Sequence, residues 1–314
     1  MVKPIEYTVQ TQYGDISVLD SQGNGPAALL LHNNSGCKEV FERQLESDVG
    51  RTFRLIAMDL PGHGKSDHAS KDKAEATYSL PGYAEAAIAV LEKLNIQKAT
   101  LCGWSLGGHG AIAALENPRV QAILITGTPP IPLTSEGFKL GFNQKFDCAH
   151  LMGKENLTDG EARLFAEKGL KNAPFLLEAT KKTHGLARSC LIASMQKGVG
   201  GDQQKTVETC EKSVAVVAGD GDEGINNDHI QNNVAFKNLW GKRVHILKGG
   251  HAIHWEKSEE FNEILGNFLR DVNSMTKEAP VQHKKRSFIL LGTFCAFVVA
   301  LVAAKIWNRI AQYK

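Results

Sequence analysis

The residues of this chain best suited to covalent chemistry lie in Gly103-Trp104-Ser105-Leu106-Gly107-Gly108. An apolar run, Ala99 to Cys102, precedes them and an alanine-rich segment, Ala111 to Leu115, follows. This order predicts a strand, a tight turn and a helix, with Ser105 at the apex. Glycines two residues either side of the serine remove the Cβ atoms that would clash where strand and helix converge. The hydroxyl then projects from the sheet edge, and the Leu106 N–H at the helix start can face a developing oxyanion.

A serine nucleophile needs a base, and the base needs an acid to orient it. The apolar run Val214 to Ala218 is followed by Gly219-Asp220-Gly221-Asp222-Glu223, and Val244 to Leu247 by Lys248-Gly249-Gly250-His251. Each group thus follows its own strand, in the chain order Ser, Asp, His. His251 is the expected base and Asp222 the first choice of orienting acid, with Glu223 and Asp220 in reserve. The second oxyanion donor is expected from the loop after the strand ending at His32, as the N–H of Asn34. Asn33 stands there where a glycine is usual, a change that suits an asparagine able to enter the left-handed region. His254 makes an H-x-x-H with His251, but no further histidines cluster there, and His63 and His109 read as structural or pocket-lining. No metal and no cofactor are expected.

These groups need a scaffold that delivers each loop to one edge. Ile5 to Gln10 and Ile16 to Leu19 read as a hairpin, and Ala27 to Leu31, Phe53 to Met58, Ala99 to Cys102, Val120 to Thr126, Val214 to Ala218 and Val244 to Leu247 as further strands. Most are continuous apolar runs, as in a parallel sheet buried on both faces. Helical spacing at Val40 to Val49, Tyr83 to Leu94 and Phe261 to Leu269 alternates with them, implying a doubly wound, mostly parallel, eight-stranded α/β sheet. From about Pro129 to Lys212 the alternation stops and helices take over, an expected cap insertion. Gly198 to Gly201 punctuates it.

Across its 314 residues the formal net charge is +2, but six Lys/Arg and no acid follow Val281, and subtracting them leaves the body at −4. A mildly acidic body without a basic face argues against nucleic acid. Six scattered cysteines without C-x-x-C spacing read as reduced thiols. The seventeen residues Phe288 to Ala304 carry no charge and are flanked by Lys284-Lys285-Arg286, Lys305 and Arg309. With interfacial Ser287, Ile306 and Trp307, residues 287–307 are expected to form a transmembrane helix. A polar linker, 274–286, would join it to the domain of residues 1–273, with 308–314 as a short tail. The N-terminus has no secretory signal pattern, so the expected arrangement is a tail anchor with the catalytic domain in the cytosol. The target membrane (endoplasmic reticulum, mitochondrial outer membrane or peroxisome) and the oligomeric state stay open.

Asp59-Leu60-Pro61-Gly62-His63-Gly64-Lys65-Ser66, Gly103 to Gly108 and Gly249-Gly250-His251 resemble the α/β-hydrolases of the esterase, lactonase and C–C hydrolase branch. More narrowly, His32-Asn33-Asn34-Ser35, Tyr78 to Tyr83, Gly103 to His109, Ile125 to Pro130 and Asn238-Leu239-Trp240 are similar to the metal-independent N-acyl-homoserine lactonases. The resemblance implies a serine hydrolase that cleaves a small lipophilic carboxylic ester or lactone through an acyl-enzyme. C–C bond or thioester hydrolysis is the alternative chemistry, and a hydrolase-fold receptor with slow turnover the alternative class. Where those lactonases place a hydrogen-bonding tyrosine in the insertion, this chain has Phe165. Trp104, Phe138, Phe142 and Phe165 are the candidate lining of an apolar acyl pocket.

Overall fold

A computed structural model describes residues 3–143 and 147–278. The chain divides into two units, Met1–Ser274 and Met275–Lys314, and of the second only residues 275–278 are described. The expected membrane segment, the tail and residues 279–286 of the expected linker lie outside the described residues. Among the described residues, no helix is long and apolar enough to cross a membrane.

Eight strands form one sheet: β1 (Ile5–Thr11), β2 (Gly14–Asp20), β3 (Ala27–Leu31), β4 (Arg54–Met58), β5 (Ala99–Trp104), β6 (Val120–Thr126), β7 (Ser213–Gly219) and β8 (His245–Leu247). Their spatial order is β1-β2-β4-β3-β5-β6-β7-β8. The first two pairings are antiparallel and all others parallel. Successive residues of the central strands feed opposite faces. Leu29, Leu31, Ile56, Met58, Ile123 and Ile125 join one core, and Ala28, Leu30, Leu55, Ala57, Ala122 and Leu124 the other. Burial on both faces explains why these strands read as unbroken apolar runs.

After β3 the chain steps outward to β4, then returns past β3 to place β5 on its other side, with Leu31 opposite Gly103. This reversal opens a crevice beyond the carboxyl ends of β3 and β5, where the loops carrying Asn34 and Ser105 emerge. Between β6 and β7 the described residues contain helices Ser135–Gly141, Asp159–Gly169, Pro174–Lys182, Gly185–Gln196 and Gln203–Thr209 and no strand. Thr158 and Glu161 form a reciprocal capping box at the start of the second. Gly198, Gly200 and Gly201 turn the chain with φ of +76°, +110° and +73°.

Two expectations change. The single helix over Val40 to Val49 is broken into short turns, because Ser47 caps a new helix by accepting from the Val49 N–H. The helix expected over Phe261 to Leu269 runs from Ser258 to Glu278, so the first residues of the expected linker, 274–278, are helical.

Candidate active site

Ser105 sits at φ 55°, ψ −116°, a strained conformation for a residue with a Cβ. The strain is imposed from several sides. The Ser105 N–H donates to the Thr126 carbonyl at 2.9 Å, and the Ser105 carbonyl accepts from the Gly108 N–H and the Thr128 hydroxyl. The surrounding glycines are obligatory: a Cβ on Gly103 would lie 2.2 Å from the Gly107 carbonyl oxygen, and one on Gly107 would lie 1.9 Å from that of Leu31. Helix Leu106–Ala113 starts immediately after the serine, so the Leu106 N–H has no intrahelical acceptor.

His251 and Asp222 meet across their two loops, with Nδ1–H donating to Oδ2 at 2.7 Å. The Asp222 side chain is almost fully enclosed, while that of His251 retains 19% exposure. The second Asp222 oxygen accepts from the N–H groups of Gly224 and Ile225 at 3.0 and 3.2 Å. Burial pushes the Asp222 carboxyl up, but the His251 charge and these hydrogen bonds outweigh it and hold the pKa below the usual carboxylate value. Burial likewise opposes a charge on His251, and Asp222 outweighs it, raising the imidazole above its ordinary value. With Nδ1 committed, Nε2 is the nitrogen available to a reacting group.

Asp220 and Glu223 do not pair with His251. Asp220 accepts from the Gly249 N–H at 3.1 Å, and Glu223 reaches out to Lys168 at 3.0 Å. Of the three candidate acids, Asp222 is the one that meets the His251 ring.

The loop beyond β3 is held by His32, whose Nδ1–H donates to the Asn33 carbonyl at 2.7 Å while Nε2 accepts from the Leu60 N–H at 3.0 Å. Burial lowers its pKa and keeps this neutral tautomer. The cap holds the same loop from above. The Asn34 amide donates to the Met152 carbonyl at 2.9 Å, the Thr180 hydroxyl to the Ser35 carbonyl at 3.2 Å, and buried Arg188 to the Ser35 hydroxyl at 3.4 Å. The left-handed residue here is Ser35, at φ 59°, rather than Asn33.

Ser105, His251, Asp222, Asn34 and Leu106 all line one cavity of 560 Å³, within the range of small-molecule sites. Phe142, Met152, Phe165, Leu191, Ile192 and Met195 supply its apolar wall, and Arg43, Glu167, Lys171, Glu223 and Glu256 its charged margin. Of the four expected aromatic lining residues, Phe142 and Phe165 are present and two are not. Phe138 stacks behind Phe142, ring centroids 5.9 Å apart. Trp104 is fully buried beneath the site, where its indole N–H donates to the His251 carbonyl at 2.9 Å. As the last residue of β5 it points into the sheet core, so it supports the histidine and touches no substrate space.

Other residues of the site carry weaker sequence signals. Gly127, at φ +58°, leaves room for His251, since a Cβ there would lie 2.8 Å from its Cε1. Gln203, from the cap, grips His109, which lines the cavity. His254 packs between Trp104 and Phe41 and burial pushes its pKa down to about 3, while buried His63 bonds the Pro61 carbonyl.

Comparison with known proteins agrees with this architecture. Residues 26–147 match the α/β-hydrolase fold family. A mutant of the N-acyl homoserine lactonase AidH, complexed with N-hexanoyl homoserine lactone, superposes with a TM-score of 0.81 at 34% identity, covering 86% of this chain and 99% of that one. The 2-hydroxy-6-oxononadienedioate/2-hydroxy-6-oxononatrienedioate hydrolase of Paraburkholderia phymatum is 27% identical over 271 residues, 79% of this chain and 88% of that protein. Protein PHYLLO of Arabidopsis thaliana is 25% identical over 287 residues, which span only 16% of its length. The chain belongs to the α/β-hydrolase fold family.

Proposed function

We propose that the protein is a serine hydrolase of carboxylic esters or lactones, with acyl lactones as the substrate class. The observation that carries this reading is the His251–Asp222 pair opening into the same cavity as the strained Ser105. His251 Nε2 takes the Ser105 proton as Oγ attacks the carbonyl carbon, and Asp222 stabilises the imidazolium that forms. The Asn34 and Leu106 N–H groups receive the oxyanion, each such donor contributing about 2.7–4 kcal/mol to the transition state. His251 then returns the proton to the leaving oxygen, which in a lactone stays tethered to the acyl group. Water, deprotonated by the same imidazole, attacks the acyl-enzyme and frees Ser105.

The likeness to a lactonase at 34% identity supports the lactone over the simple ester. C–C bond hydrolysis is the second reading, motivated by the dienedioate hydrolase relative. The uncharged residues 288–304 between basic flanks support a membrane anchor through 287–307, which would bring the cavity to lipophilic substrates.

Full-length protein in detergent, assayed on acyl lactones, p-nitrophenyl esters and a vinylogous β-diketone, tests the reading. Lactone turnover that drops about 10⁴-fold or more in Ser105→Ala supports it. Equal turnover in the variant would sink it, and turnover of the diketone alone would favour C–C cleavage. Fusing residues 279–314 to a fluorescent protein tests the anchor, which fails if the fusion is extracted from membranes by carbonate.

A further inference from the structure

His109 lies one turn beyond Ser105 on the helix that starts at the nucleophile, and it lines the same cavity. Residues four apart share a helix face, and the tilt of side chains towards the helix start leans His109 back towards Ser105. Its protonation pattern follows from one cap residue. The Gln203 side chain, almost fully buried, donates from Nε2 to the His109 carbonyl at 2.9 Å. A carbonyl only accepts, so the Gln203 amide cannot be reversed, and Oε1 is the atom that meets His109 Nδ1 at 2.6 Å. Nδ1 therefore carries the hydrogen, and Nε2 is left as a bare acceptor. Burial pushes the imidazole down to about 4, so it stays neutral at physiological pH.

We infer that His109 Nε2 is a specificity-determining acceptor that selects acyl substrates bearing a hydrogen-bond donor, an amide N–H or a hydroxyl, close to the scissile carbonyl. The inference rests on the hydrolase reading above and narrows its substrate class. The surrounding wall is apolar, with Leu106, Phe142, Leu191 and Met195 among the lining. An alkyl chain filling this space would take water from Nε2 and return nothing. A substrate N–H or O–H restores the bond, and the same lone pair repels carboxylate and carbonyl oxygens placed against it. Two neutral hydrogen bonds to Gln203 could serve packing alone, but packing does not require the remaining nitrogen to belong to a cavity-lining ring.

Three α-substituted γ-butyrolactones of equal chain length test this with full-length protein in detergent: one alkyl, one acylamino and one 1-hydroxyalkyl. The expected result is a kcat/KM about 10-fold or more higher for a donor-bearing lactone than for the alkyl one. The larger of the two ratios identifies the donor. In His109→Phe, which keeps a ring and deletes the acceptor, the ratio should fall to within about 2-fold of unity. Gln203→Leu retains the imidazole but frees its tautomer, and should give an intermediate ratio; it decides the matter if His109→Phe does not fold. A wild-type ratio near unity, or one unchanged in both variants, overturns the inference. Failure of the underlying reading is separately visible as absence of a fluorophosphonate adduct on Ser105. An adduct with a flat ratio counts against His109 alone.

Discussion

The Trp104 indole N–H donates to the His251 carbonyl at 2.9 Å, joining the residue before the candidate nucleophile to the candidate base from beneath. The two rings also lie 5.5 Å apart. Trp104→Phe keeps most of the buried apolar surface and removes the donor. The expected outcome is a kcat reduced about 10-fold with KM nearly unchanged, and a stability loss of about 1–3 kcal/mol from the unpaired carbonyl. Steady-state kinetics and urea denaturation read the two effects; a change confined to KM would place Trp104 in substrate contact instead.

Asp222 raises the pKa of His251, and the proposed attack by Ser105 needs the neutral imidazole. Activity should therefore rise with pH through the His251 pKa. Asp222→Asn removes the influence that raises it, so the acid limb of kcat/KM moves to lower pH while the plateau drops by roughly 10³–10⁴-fold. Stability follows the linked signs. The depressed Asp222 carboxyl contributes above the ordinary carboxylate pKa and loses its effect as pH falls through the lowered folded value. The raised His251 contributes below the ordinary imidazole pKa and loses its effect as pH rises through the raised folded value. The difference in urea midpoint between wild type and variant should thus be greatest between pH about 4 and about 6.5. An acid limb that stays in place would assign it to another group.

Gly127 stands where strand β6 ends, and a Cβ on it would meet the His251 ring at 2.8 Å in a backbone conformation that favours glycine. Gly127→Ala should displace the imidazole by several tenths of an ångström, lowering kcat about 10²-fold for a stability cost of about 1–3 kcal/mol. Fluorophosphonate labelling slowed in proportion to kcat would locate the damage at proton transfer, and normal labelling would contradict it.

Lys38 is enclosed beside Asp59 at 2.8 Å, with Glu6 and Glu39 at 2.9 and 3.1 Å. Burial disfavours its charge, but the carboxylates prevail and raise its pKa. Asp59 also accepts from the Lys38 and Lys65 backbone N–H groups, so the pair ties the segment beyond β3 to the turn beyond β4. Lys38→Met leaves a buried carboxylate unpaired and should cost about 3–5 kcal/mol in urea denaturation. Adding Asp59→Asn should recover part of that loss; additive losses would deny the coupling.

The order of Ser105, Asp222 and His251 was legible in the sequence because each follows a short apolar run, and a parallel sheet brings all such loops to one edge. That Asp222 rather than its neighbours meets His251 was half legible, since the orientation of the turn depends on hydrogen bonds from Gly224 and Ile225 that spacing does not encode. Trp104 was misread because an aromatic beside a nucleophile looks the same whether it faces the cavity or the core, and only the alternation of β5 decides it. Gln203 left no signal, as it reaches His109 across 94 residues of chain from an insertion with no fixed register to the sheet. The Lys38–Asp59 pair was hidden because charged residues are ordinarily solvated.

Asn34, Ser35 and their partners Met152, Thr180 and Arg188 make the loop beyond β3 a joint product of sheet and insertion. In many enzymes a substrate-selecting segment can be exchanged like a tool head while the catalytic base plate keeps working. Here the two are not separable: a foreign insertion grafted between β6 and β7 would bring its own cavity wall and leave the candidate oxyanion loop without its upper moorings. An exchanged insertion would therefore have to rebuild the same three anchoring bonds to Asn34 and Ser35 before the loop beyond β3 could keep its present shape.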